Sequence, residues 1–157
     1  MEKMKIGLDG NARKAVADAI NGVLADTYVV YQKTHAYHWN VTGPQFHQLH
    51  VMFEEQYREM WAALDELAER TRALGEYAPA SAEAFSALAS IKSADKTSPT
   101  AEQMIRNLLA DHEALIRRTR EALDVAEEVD DAASADLLTQ RIQTHEKTAW
   151  MLRALTQ

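Results

Sequence analysis

The stretch HAYHWNVTGPQFHQLHVMFEEQYREMWAALDELAER, residues 35–70, decides how this chain is read. From Pro44 onward it has the pattern of one long helix, and the four residues on it most like metal ligands are His50, Glu54, Asp65 and Glu69. On a helix the first and last lie about 28 Å apart, too wide for one metal site. Yet Glu54, Asp65 and Glu69 follow His50 around the axis by about 40°, 60° and 100°, so all four share one broad face. Their positions are mirror-related about the midpoint between Glu59 and Met60. Two copies packed antiparallel on a two-fold axis there place His50 beside Glu69 of the partner subunit, and Glu54 beside Asp65 of the partner subunit. His38, at the end of the preceding helix, reaches the same region. Charged residues at four-residue spacing also serve solubility or i,i+4 support, and Asp65 and Glu69 taken alone fit that reading too.

The rest of the chain supplies the setting. Its 157 residues suffice for one domain with a real core. With 46% apolar residues, general disorder is excluded. Five Gly and three Pro among abundant Ala, Leu, Glu, Arg and Gln favour an all-α fold. The absence of Cys removes disulfides and thiolate metal sites. The opening MEKMKIGLDGNAR has no apolar signal core, and no apolar run is long enough for a bilayer, so a cytoplasmic protein with no membrane contact is expected. A net charge of −7 argues against a generally basic nucleic-acid surface.

Periodicity predicts four long helices and one short one. The first covers about residues 11–40, after a short tail of residues 1–10. The second runs from about Pro44, as its first residue, to Leu74, with Gly75 as a left-handed cap. SAEAFSALASI, residues 81–91, is expected to form the short helix within a long connection, with Ser81 as its cap. The third long helix begins near Pro99 or Thr100, where Thr100 and Gln103 have capping-box spacing. VDDAAS interrupts the pattern before a fourth helix over about residues 133–155. Short connections on either side of one long crossover fit a ferritin-like four-helix bundle in a single domain, residues 1–157. Such bundles usually hold metal inside with Glu-x-x-His motifs. No histidine here has Glu three residues before it, so that internal site is not expected.

HWNVTGPQFHQLHVMFEEQY and LDELAERTRALG, with the spacing of His38-Trp39-Asn40, His50, Glu54, Asp65 and Glu69-Arg70, resemble the Dps family of miniferritins. DDAASADLLTQRIQTHEKTAWMLRAL resembles that family's last helix. The resemblance implies a hollow dodecamer with two irons at each ferroxidase site on the two-fold interfaces. It implies that His38, His50 and Glu54 come from one subunit, with Asp65 and Glu69 from its neighbour. Many members carry Asp where this chain has Glu54. Family members oxidise Fe(II), usually with hydrogen peroxide, and store ferric mineral against oxidative damage.

Trp39 is expected either to pack at the subunit interface or to act as a sacrificial electron donor, as in the family. His35 and His47 each sit three residues before an expected ligand, and His112 and His145 read as bundle histidines. Asp130, Asp131 and Asp136 are expected to line an acidic iron-entry pore, the role this segment has in the family. The alternative function is DNA compaction with an incidental metal site. The tail offers only Lys3 and Lys5, with Arg13 and Lys14 at the first helix, so DNA binding is expected to be weak or absent.

Overall fold

A computed structural model describes residues 4–157; Lys3, and the rest of the tail before Met4, lie outside the described residues. The elements are α1 (Gly10–Asn40), α2 (Phe46–Ala73), α3 (Ala82–Leu88), α4 (Ala101–Glu128) and α5 (Ala132–Ala154), and no strand is present among the described residues. Among the described residues, no helix is long and apolar enough to cross a membrane.

Local chemistry sets the helix ends. Asp9, Ser81, Thr100 and Asp131 each accept a backbone N–H three residues on, which satisfies an orphan donor of the first turn. The Gln103 side-chain Nε2 donates to Asn107 Oδ1 at 2.8 Å, one turn further along the helix. Gly75 at φ +92° closes α2, with the Glu76 amide reaching back to the Thr71 carbonyl. Pro44 does not open α2 as expected. It sits in a turn closed by the Phe46 amide on the Gly43 carbonyl at 3.0 Å, with Gly43 at φ +110°, and the helix starts two residues later.

α1 packs antiparallel to α2, α4 to α5, and the two pairs meet chiefly through α1 and α4. Lys33 reaches Asp111, and Asp26 reaches Arg118, so α1 and α4 also run antiparallel. α2 and α4 therefore point the same way, and the connection between them returns along the bundle with α3 against α1. Asp26 holds that connection down. Its buried carboxylate accepts from the Ser90 amide and hydroxyl, the Ile91 amide and Arg118, at 2.6–3.0 Å. Gly22 on α1 is where Arg118 passes, and a Cβ there would meet its guanidinium at 2.6 Å.

The core is apolar along its length: Val16, Ile20, Leu24, Phe53, Met60, Leu67, Leu108, Leu115, Leu138 and Leu152 are all fully or almost fully buried. Thr27, Thr34 and Thr119 enter it with their hydroxyls bonded to the carbonyl one turn back. The buried carboxylates among the described residues, Asp26 and Asp131, are each taken up by an arginine and by serine donors.

Candidate metal centre

The turn between α1 and α2 brings His38 and His50 face to face. Their rings stack with centroids 3.8 Å apart and planes 16° from parallel. Each Nδ1 lies 2.7 Å from the other residue's backbone carbonyl oxygen. A carbonyl only accepts, so each Nδ1 carries the proton and donates it. In the neutral form of each ring this tautomer leaves the Nε2 lone pair for a metal ion. His38 is 8% exposed and His50 is half-buried.

Glu54 follows His50 by one turn. Arg58 holds its Oε1 with Nε at 3.0 Å and Nη2 at 2.8 Å. That hydrogen bond holds the Glu54 carboxyl below its ordinary value; desolvation opposes it, and the charge on Arg58, with His38 and His50, adds to the lowering. Asp65 and Glu69 are exposed further along α2. Among the described residues, no group of three or more His, Asp or Glu side chains is assembled to hold a metal within one chain. The chain thus brings together two histidines with a carboxylate nearby, and carries two more carboxylates far along the same face.

Around the histidines lies an aromatic cluster that sequence reasoning missed in part. Tyr57 stacks on His35 at 3.9 Å and presents its ring edgewise to His38 at 5.2 Å. Its position seven residues after His50, on the same helical stripe, was the available signal. His35 bonds through Nδ1 to the Tyr31 hydroxyl at 3.2 Å, and burial above all lowers its basicity. Trp39 is 64% exposed and packs on His35 at 4.1 Å. His47 is exposed on α2's first turn. Beyond the cluster, an open groove of about 740 Å³ runs past Asp65, lined by Leu24, Tyr28, Trp61, Ala68 and Phe85. Trp61 is 65% exposed at its edge, a large apolar surface to leave in water.

The three acids expected at a pore are separated by the structure. Asp131 is 4% exposed, takes two bonds from Arg70 at 2.8 and 3.0 Å, and takes two more from Ser134 at 2.6 and 3.1 Å. Burial pushes its carboxyl upward, but Ser134 and Arg70 together outweigh burial and hold it below its ordinary value. The family-like Arg70 is thus a clamp on the α4–α5 corner. Asp130, at φ 58°, and Asp136 remain exposed. His112 and His145 are buried in the bundle, Nδ1 to Nδ1 at 3.0 Å.

Comparison with known proteins gives a consistent answer. Residues 17–157 match the ferritin-like domain family. An uncharacterized low temperature-induced protein of Nostoc is 43% identical over 155 residues, 98% of this chain and 87% of the relative. DNA protection during starvation protein 2 of Bacillus anthracis is 38% identical over 141 residues, 90% of this chain and 96% of the relative. Among solved structures, the Dps protein of Vibrio cholerae superposes with a TM-score of 0.94 at 33% identity, covering 100% of this chain and 98% of the other. That protein is described as a member of a broad superfamily of ferritin-like diiron-carboxylate proteins.

Proposed function

The chain belongs to the Dps family of ferritin-like proteins, and on that premise we propose that it oxidises Fe(II), preferentially with hydrogen peroxide, and stores the ferric product in a hollow dodecamer in the cytoplasm. The observation that carries this reading is the reciprocal lock of His38 and His50, which presents two Nε2 lone pairs side by side with no rotamer search. Glu54 is the carboxylate beside them. Asp65 and Glu69 from the neighbouring subunit complete the set when two α2 faces meet antiparallel. Burial of Trp61 and filling of the groove past Asp65 favour the same contact.

The donor set suits the reaction. Imidazole and carboxylate bind Fe(II), and the anionic oxygens favour the Fe(III) product. Two Fe(II) ions give one electron each to one peroxide. Its O–O bond breaks, two protons are taken up, and two waters leave without free hydroxyl radical. Fe(II) is here the substrate, and two ions per shared site is the stoichiometry the electron count requires. Glu54 must exchange Arg58 for iron, and its longer side chain than Asp gives it the reach to do so. Trp39 is near enough to the histidines, through His35, to give up an electron when a second iron is missing. Asp130 and Asp136 are the exposed acids that draw Fe(II) to the shell.

DNA binding is weak in this reading, because a net charge of −7 opposes the phosphate backbone. The test is an anaerobic Fe(II) titration of purified shells followed by peroxide. Rapid Fe(III) formation at about two Fe(II) per peroxide, slower with dioxygen, supports the proposal. Shells that consume Fe(II) no faster than buffer with either oxidant defeat it.

A further inference from the structure

A second feature lies on the other side of α2, in a cavity of about 270 Å³ between α2 and α5 that reaches the bundle core. Three of the chain's six methionines, Met52, Met60 and Met151, line it. So do His112, Gln56 and Glu59. His112 is 1% exposed, yet its Nε2 has no hydrogen-bond partner among the described residues, and neither has the buried Oε1 of Gln56.

The protonation of His112 follows from a chain of contacts. Arg141 is anchored by both carboxylate oxygens of Glu59. Its Nη2 lies 3.1 Å from His145 Nε2. A guanidinium only donates, so His145 Nε2 accepts, and the proton of that ring sits on Nδ1. His145 Nδ1 then donates to His112 Nδ1 at 3.0 Å. His112 is left with its proton on Nε2, at the cavity. Burial, aided by the Arg141 charge, lowers His112 to about 3 and keeps the ring neutral. A cation at Nε2 would have to reverse the whole chain against Arg141. The cavity instead offers a donor, His112 Nε2–H, and an acceptor, Gln56 Oε1, between thioether walls. A small neutral molecule that both accepts and donates fits that pair.

We infer that this cavity admits hydrogen peroxide and reduces it at the flanking methionines, without iron. The thioether sulfur attacks one peroxide oxygen and the O–O bond breaks. The departing oxygen, held by His112 Nε2–H, takes the proton of the transferred oxygen and leaves as water. The sulfur is oxidised by two electrons to the sulfoxide, and His112 keeps its own proton. Gln56 Oε1 accepts a peroxide O–H and orients the molecule. Methionine oxidation is reversible by dedicated reductases, so the site is a renewable trap for peroxide that reaches the shell when no Fe(II) is loaded.

The test uses metal-free, chelator-treated shells exposed to peroxide, with sulfoxide mapped by peptide mass spectrometry. Met60 and Met104 are 1% and 0% exposed, so burial alone makes them equally resistant. The trap requires Met60 to oxidise at least tenfold faster than Met104. It also requires His112→Phe to slow Met60 at least fivefold relative to the parent shells while Met104 is unchanged, with Gln56→Leu as the parallel variant if His112→Phe does not assemble. Equal protection of Met60 and Met104 overturns the inference. Fast Met60 oxidation that ignores both variants overturns it too, since the cavity is then merely leaky. Because no iron is present, neither outcome bears on the ferroxidase reading.

Discussion

His38 and His50 hold each other in place: each imidazole donates Nδ1–H to the other's main-chain carbonyl at 2.7 Å while the two rings stack at 3.8 Å. Neither ring keeps its orientation without the other. This coupling joins the end of α1 to the start of α2 at the point where iron is expected to bind.

The coupling predicts non-additive variants. His38→Ala frees the His50 ring as well as deleting one proposed ligand, and His50→Ala does the reverse. Each single variant should weaken Fe(II) binding by about 10–100-fold or more, and the double variant should be little worse than either. Calorimetric titration under anaerobic conditions measures this. Losses that multiply in the double variant would show that the rings act independently.

Much of this arrangement was legible in the chain, and the reasons it stopped where it did are physical. Ser81 and Thr100 announced their helices because a cap acts over three residues, a distance that sequence displays directly. Pro44 misled because its preference for a helix's first position competes with its preference for a turn, and the positive φ of Gly43 decided for the turn. His38 and His50 were readable as candidate ligands by type and spacing. Their lock was not, because its acceptors are backbone carbonyls that no residue type reveals. Asp131 read as one acid in an acidic run because its partner Arg70 stands 61 residues away. The pairing of Asp65 and Glu69 with the histidines of a partner subunit rests on the helix pattern alone, since one chain cannot display it.

Arg70 carries a stability prediction. Arg70→Ala leaves the Asp131 carboxylate buried with only Ser134 to satisfy it, and removal of one partner from a buried pair costs about 3–5 kcal/mol. The loss should appear in urea unfolding at fixed protein concentration near pH 7. It should shrink in acid. Asp131 has a folded-state pKa below its unfolded value, so its contribution is present above the ordinary carboxylate range and lost as pH falls through the folded value. A variant as stable as the parent at pH 7 would mean that the clamp adds nothing.

The buried histidines set a second pH dependence, at higher pH. His112 falls from an ordinary 6.5 to about 3, and His145 also falls well below 6.5, in both cases through burial first. The unfolded chain therefore binds protons that the fold refuses. Stability is fully present above pH 6.5 and declines as pH drops toward 3. His112→Gln should flatten the melting temperature between pH 6.5 and 4, even if it lowers it overall. A parent whose melting temperature is level across that range contradicts the prediction.

The shared site makes the last prediction. His50, stacked with His38 from α1, lies toward one end of α2, with Asp65 and Glu69 toward the other, about 28 Å from His50 to Glu69 along the helix. One variant, His38→Ala/His50→Ala, removes the histidines; a second, Asp65→Ala/Glu69→Ala, removes the distant carboxylates. Shells of either variant alone should have little peroxide-dependent ferroxidase activity. In a mixed dimer one site loses every one of these ligands. The other combines intact histidines from one chain with intact carboxylates from its neighbour. Co-expressed shells should therefore regain part of the parent activity, up to half the sites in each mixed dimer. A site contained in one chain cannot be repaired in this way. Native mass spectrometry establishes that mixed dimers have formed. Mixed shells that bind and oxidise iron no better than the two parents would leave Asp65 and Glu69 as ordinary surface charge.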